Sequence, residues 1–191
     1  MKHGVRPAGL LLMGGRSRRF GRDKAWLPWP NADGTTVPLW VRQRRLLAEL
    51  SDPVWRAVGY GSPPAPDAWV DERPGEGPLP AIGRALRTGL EWWMVLAVDL
   101  PGARRDLLES LWCARLEGGV TLPESSGMRQ PLMAVWHRDV LPAVDACLLR
   151  GERRVEAALK AVPYRVLPLR ADDPALINVN TPEDWTPWQN E

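Results

Sequence analysis

A chain of 191 residues is long enough for one domain with a sizeable core and too short for two of ordinary size. Its 45% hydrophobic and 25% charged content excludes disordered, collagen-like and fibrous classes, and no uncharged apolar run reaches the roughly 18 residues of a membrane helix. A net charge of +2 calls for neither a nucleic-acid nor a membrane partner, although it leaves room for a local basic patch.

Short apolar runs alternate with helical patterns, the signature of a parallel sheet covered by helices. The spacing predicts a strand over 9–13, a long Gly/Arg loop, and a helix over 39–50 whose apolar positions 39, 40, 46, 47 and 50 recur at helical intervals. Between them, Asp33-Gly34 favours a small hairpin within 28–38. Strands follow at 54–58 and 68–70, and Gly77-Pro78 opens a helix running to about 91. Residues 93–98 read as a central strand, apolar throughout because both its faces are covered. After Asp99 a helix is expected over 104–117, strands at 120–122 and 132–136, helices at 140–149 and 153–161, and a last strand at 164–169. Thr181 is placed to cap a terminal helical turn, with Pro182 at its first position and Asp184 as capping-box partner.

The opening apolar stretch is short, lacks a small-residue cleavage site and runs into Gly14-Gly15 and a basic cluster, so it reads as a buried strand and not a secretion signal. Cys113 and Cys147 match neither a disulfide framework nor a zinc site; free thiols and a cytoplasmic location are the expectation. The chain uses 22 Arg against 3 Lys, and 11 Trp against 1 Phe and 2 Tyr, a pattern that G- and C-rich codons produce. A Lys or Asn kept against that background is a candidate for a specific role.

The segment from Leu12 to Lys24 carries the clearest chemistry. Its glycines let backbone N–H groups converge on an anion while Arg16, Arg18, Arg19, Arg22 and Lys24 neutralise charge, which makes a phosphate cradle. Arg22 and Asp23 follow Gly21, so the loop is neither Walker A nor G-x-G-x-x-G. The same residues also fit a solvated basic loop or nucleic-acid patch, against which Phe20 is the sole stacking aromatic among them. Asp99 ends the central strand, where open α/β sheets bind ligands; it reads either as a magnesium carboxylate or as a helix N-cap. Asp71 reads either as an acceptor for a nucleotide's base or ribose, or as an exposed loop carboxylate beside Glu72 and Arg73. Asn178 and Asn180, two of four asparagines, share one side of an extended segment and suit either ligand binding or turn chemistry. His3 and His137 lack the spacing of a metal or catalytic pair.

Leu12-Met-Gly-Gly-x-Ser-x-Arg-Phe-Gly-x-Asp-Lys-Ala-x-Leu resembles the L-A-G-G-x-S-x-R-M-G-x-D-K-x-x-L signature of the molybdenum cofactor guanylyltransferases, with Met13 in place of the usual Ala. Asp71 with Gly77-Pro78-Leu79 is similar to the family's D…G-P-L block, Val98-Asp99-Leu100-Pro101 to its D-x-P metal motif, Gln130-Pro131-Leu132 to its Q-P-L segment, and Asn178-Val-Asn-Thr-Pro-Glu-Asp to its N-x-N-T-P-E-D signature. The resemblance implies a GT-A-like, three-layer Rossmann-like α/β domain over 1–191, mostly parallel, with a nucleotide-binding half (1–100) and an acceptor half (101–191). It implies transfer of GMP from GTP to molybdopterin or Mo-molybdopterin, with Mg²⁺ as cofactor and molybdoenzyme maturation proteins as candidate further partners. On this reading Leu12, Met13, Gly14, Gly15, Arg18, Lys24, Asp71, Gly77 and Asp99 face the nucleotide. Arg19, Lys24 and Asp99 are the catalytic set, Asp99 holds the metal, and Gln130, Asn178 and Asn180 face the acceptor. Either Arg18 or Arg19 touches phosphate. The rivals are a cytidylyltransferase, which usually shows A-A-G in the first loop and D-x-D-T-P near the end, and a non-catalytic nucleotide-binding handover module.

Overall fold

β1 (Ala8–Leu12) is buried at every residue and lies between two parallel neighbours, which is why its sequence shows no polar alternation. The computed structural model describes residues 5–14, 20–21, 23–31 and 33–189. After β1 come a 3-10 turn over Lys24–Trp26, the hairpin β2 (Pro28–Pro30) and β3 (Thr36–Pro38), and α1 (Leu39–Leu50). Then follow β4 (Val54–Val58), β5 (Ala68–Val70), α2 (Pro78–Leu86), β6 (Trp92–Ala97) and α3 (Arg105–Cys113). The second half adds β7 (Val120–Ser125), β8 (Met128–Arg129), β9 (Met133–His137), α4 (Leu141–Leu149), α5 (Val155–Leu159), β10 (Tyr164–Pro168) and the short α6 (Pro182–Trp185).

The main sheet has eight strands in the order β10-β7-β9-β6-β1-β4-β5, with β8 paired to β7. Pairs β6–β1, β1–β4, β4–β5 and β7–β10 are parallel; β9 runs antiparallel to both neighbours. α1 and α3 pack together on one face, α2 and α4 on the other, so the domain has three layers around one core. Trp93 and Trp136 are paired across β6 and β9 and are fully buried. Among the described residues no helix is long and apolar enough to cross a membrane.

Registers β1–β6 and β1–β4 bring Leu12 beside Ala97 and Ala57, and Val58 pairs with Val70. The carboxyl ends of four strands therefore share one edge, where such sheets bind ligands.

Several bounds differ from the sequence expectation for local reasons. α2 stops at Leu86 and not near 91, because Thr88 Oγ1 donates to the Ala85 carbonyl at 2.7 Å and Gly89 turns the chain at φ +84°. α3 stops at Cys113 ahead of Gly118 at φ +69°, four residues short of 117. β7 runs on to Ser125 and returns as β8 through Ser126 and Gly127, both at positive φ as a two-residue hairpin turn requires. α5 is a five-residue helix, shorter than 153–161. The hairpin around Asp33-Gly34 forms, with Asp33 Oδ1 accepting from the Thr35 N–H at 2.9 Å and hydroxyl at 2.6 Å.

Candidate active site

From β1 the chain crosses the sheet edge: the Met13 N–H donates to the Ala57 carbonyl at 2.8 Å, and Gly14 follows. A Cβ on Gly14 would stand 3.1 Å from Asp71 Oδ2, so the missing side chain lets the loop and the Asp71 carboxylate meet. Gly15, Arg18 and Arg19, expected to hold phosphate, lie outside the described residues. Asp23 caps the 3-10 turn by accepting from the Ala25 N–H at 3.0 Å, and fully buried Ala25 and Leu27 anchor it.

This anchoring leads Lys24 into the site. Its Nζ donates to Asp99 Oδ2 at 2.8 Å, to the Val179 carbonyl at 2.8 Å and to Asn180 Oδ1 at 3.3 Å. Asp99 lies just past β6, in a turn fixed by Val98 N–H donating to the Leu12 carbonyl at 2.9 Å and Val179 N–H donating to the Asp99 carbonyl at 2.9 Å. Its side chain caps no helix: α3 begins after Arg104, without a side-chain cap, so the N-cap alternative falls away. The second oxygen, Oδ1, accepts from Asn178 Nδ2 at 3.3 Å; Asn178 Oδ1 accepts from Gln130 Nε2 at 2.8 Å.

The 178–180 segment is held from both sides. Upstream, Arg104 grips Asp173 with two bonds of 2.7 and 2.9 Å, and Gly102 lies so close to Pro174 that a Cβ would stand 2.3 Å from its carbonyl oxygen. Downstream, the Asn180 and Thr181 N–H groups donate to Asp184 at 2.8 and 2.9 Å, holding its carboxyl below the usual range, and the expected capping box is complete. Trp29 of β2 packs edge-on against Trp185 and beside Trp188, tying the hairpin after Lys24 to the segment after Asn180.

Asp71 lies just past β5, its N–H donating to the Val58 carbonyl at 2.9 Å. Burial, and the charge of Glu76 after it, push its carboxyl up to about 6. It lines a cleft of about 430 Å³ with Trp69, Glu72, Glu76 and Arg84. Gly77, expected near the nucleotide, stands at φ +78° before α2, where a Cβ would meet the Arg153 carbonyl oxygen at 3.0 Å; its visible task is that close approach.

The structure thus joins Lys24, Asp99, Gln130, Asn178 and Asn180 in one hydrogen-bonded group beside Leu12, sets Gly14 against Asp71, and leaves Gly77 at a helix start. One feature escaped sequence reasoning: a cleft of about 370 Å³ lined by Pro78, Leu132, Arg154, Val155 and Glu156, with Leu132 two residues from Gln130. Arg154 sits in a Gly-Glu-Arg-Arg run that reads as a helix start. His137 is buried against Trp92 at the other end of β6 from Asp99. Both cysteines are free.

Among the described residues no three His, Cys, Asp or Glu side chains could together hold a metal. Among the described residues Asp99 accepts one hydrogen bond on each oxygen, and a single hard carboxylate of this kind suits a cation bound mostly through water and phosphate oxygens.

Comparison with known proteins gives a consistent answer. Residues 9–164 match the model of the MobA-like NTP transferase domain. A probable molybdenum cofactor guanylyltransferase of Mycobacterium marinum is 36% identical over 186 residues, covering 93% of this chain and 90% of that protein. One from Mycobacterium tuberculosis is 38% identical over 184 residues, covering 91% and 89%. The crystal structure of molybdopterin-guanine dinucleotide biosynthesis protein A from Archaeoglobus fulgidus has the same fold, with a TM-score of 0.67, 20% identity, and coverage of 95% of this chain and 96% of that one. The chain belongs to the MobA-like NTP transferase family.

Proposed function

We propose that the chain is a nucleotidyltransferase that moves GMP from GTP to the terminal phosphate of molybdopterin, or of its molybdenum-bearing form. An acceptor phosphate oxygen forms a bond to the α-phosphorus, the bond from that phosphorus to the α,β-bridging oxygen breaks, and pyrophosphate leaves with the electron pair. The names of the relatives support this reading. The observation that carries it is the meeting of Lys24 and Asp99 at 2.8 Å on the strand-end edge, beside a glycine loop.

The attacking phosphate is already ionised near neutral pH, so no strong general base is needed, and alignment with charge neutralisation supplies the catalysis. Gly14 and Gly15 offer backbone N–H groups to the polyphosphate, and Arg19, with Arg18 beside it, neutralises charge. Lys24 transfers its hydrogen bonds from Asp99 and the Val179 carbonyl to phosphate oxygens. Asp99 is the residue that would hold Mg²⁺, which when bound supplies Lewis-acid charge stabilisation at the phosphates. Asp71, as a carboxylate, accepts from N–H groups of the base. Asn178 and Asn180 serve the acceptor, and the cleft lined by Arg154 with Pro78, Leu132 and Val155 offers a cation for an anion and apolar surface for a ring. The chemistry suits a reducing cytoplasm.

The test is transfer measured with GTP and with CTP, followed as pyrophosphate release and as dinucleotide formed. Transfer from GTP is the expected result. A clear preference for CTP, or wild-type rates in both Lys24→Ala and Asp99→Ala, overturns the reading; tight GTP binding without pyrophosphate release, with molybdopterin present, indicates a binding module instead.

A further inference from the structure

Gln130 is 8% exposed and lies between groups whose hydrogen-bonding sense is set from outside. The Leu132 main-chain N–H can only donate, and it donates to Gln130 Oε1 at 3.3 Å. The other end of that amide is therefore the donor, and Nε2 stands 2.8 Å from Asn178 Oδ1. With its oxygen taken, Asn178 presents Nδ2 to Asp99 Oδ1 at 3.3 Å. Lys24 meets the other oxygen at 2.8 Å. One backbone N–H thus fixes the direction of two further bonds, and the last of them ends on the carboxylate.

We propose that Gln130 is a positioning residue for guanylyl transfer: through Asn178 it sets the orientation of the Asp99 carboxylate, and it does not itself touch the acceptor. The inference rests on the reading of Asp99 as the carboxylate at the reacting phosphates. An asparagine amide turns over readily when nothing distinguishes its two ends. Turned over, Asn178 would face Asp99 Oδ1 with its own oxygen, acceptor against acceptor, and the carboxylate would rotate away. Gln130 prevents this, and both ends of its amide are occupied in doing so.

The relay can be reversed without changing its shape. Gln130→Glu still accepts from the Leu132 N–H but, when ionised, has no hydrogen to give Asn178, which then turns over. When protonated, the introduced carboxyl donates to Asn178 again. Gln130→Met removes both bonds and leaves Asn178 to choose its own orientation. The expected result at about pH 8 is a kcat lowered roughly 10- to 100-fold in Gln130→Glu, the size seen when the partner of an active-site ligand is lost, and less in Gln130→Met. KM for GTP and for molybdopterin stays within about threefold of wild type in both, the pattern of an interaction that matters at the transition state.

The distinguishing measurement is kcat relative to wild type at each pH, a ratio in which the titration of Asp71 cancels. In Gln130→Glu it climbs towards one as the pH falls to about 5; in Gln130→Met it is flat. A flat ratio in Gln130→Glu overturns the inference. So does a molybdopterin KM raised tenfold or more with kcat kept, which would make Gln130 an acceptor contact. If Gln130→Glu does not fold, the KM and kcat pattern of Gln130→Met decides between the same two outcomes. Failure of the wild type to transfer GMP, or full activity in Asp99→Asn, overturns the underlying reading as well and is seen before any Gln130 variant is compared.

Discussion

The Lys24 ammonium and the Asp99 carboxylate, 75 positions apart in the chain, stand 2.8 Å from each other with 13% and 21% of their side chains exposed. Each is a counter-ion for the other, and on the proposed function a bound polyphosphate would replace that partnership for Lys24. Substituting either one removes the opposite charge from beside a largely buried ion, a costlier state than losing both. Lys24→Ala and Asp99→Ala are each expected to lower kcat/KM for GTP about 10²- to 10³-fold. Because the two touch, the double variant should lose much less than the product of the single losses, which a double-mutant cycle measures directly.

Asp71 makes the protein's stability depend on pH. Its folded-state pKa of about 6 lies above the ordinary 3.8, so the folded protein binds this proton more tightly than the unfolded chain. The resulting stabilisation is present below 3.8 and is lost as the pH rises through 6. Asp71→Asn, which cannot ionise, should melt above wild type near pH 8 and converge with it as the pH falls towards about 4. A lower melting temperature for Asp71→Asn near pH 8 contradicts the assignment. GTP affinity should weaken below about pH 6 in wild type, since a protonated carboxyl offers the base one acceptor fewer.

Arg104 and Asp173 test what holds the 178–180 segment in place. Asp173, 6% exposed, sits against the bidentate Arg104 guanidinium, which keeps its carboxyl below the usual range. Arg104→Ala leaves that carboxylate with, among the described residues, only the Ala175 N–H as donor and, since Arg104 is itself 39% exposed, should cost about 1–2 kcal/mol in urea unfolding at neutral pH. The sign of the shift means that the pair stabilises above the unfolded carboxyl pKa and ceases to do so as acid protonates Asp173. Acid should therefore destabilise wild type more than it destabilises Arg104→Ala.

Gly102 is expected to be intolerant of any side chain. A Cβ there would stand 2.3 Å from the Pro174 carbonyl oxygen and 2.9 Å from the Ala175 nitrogen, both backbone atoms that cannot step aside singly. Gly102→Ala should lower stability by about 1–3 kcal/mol through overpacking. It should also depress turnover beyond what the stability loss explains, since Pro174 leads into Asn178. Urea titration and kcat at saturating GTP separate the two effects.

Much of the sheet was legible because its strands are written locally: the apolar runs at β1 and β6 and the helical spacing in α1 need no distant information. β8 was not, since Met128 and Arg129 are exposed and pair only because Ser126-Gly127 can turn the chain. The end of α2 was missed for a similar reason, a single Thr88 hydroxyl returning to the Ala85 carbonyl. Within the site, residue types pointed to Lys24, Asp99, Asn178 and Asn180, and the fold brings them together. Which of them touch is a property of topology: nothing in the sequence tells that Lys24 bonds the Val179 carbonyl or that Gln130 reaches Asp99 through Asn178. Arg154 is not legible in the sequence, because a basic residue at a helix start looks ordinary until Leu132 and Pro78 share a cleft with it.

The stretch around Val179 ties the site to the end of the fold. Lys24 draws two acceptors from it and the Asp99 carbonyl draws a donor, although residue 164 is where the family match ends. Loosening this far end would leave every strand of the sheet paired while taking apart the hydrogen-bonded group around Lys24 and Asp99. A preparation could then pass a circular-dichroism or melting check with its turnover already gone, so quality control for this enzyme has to count product.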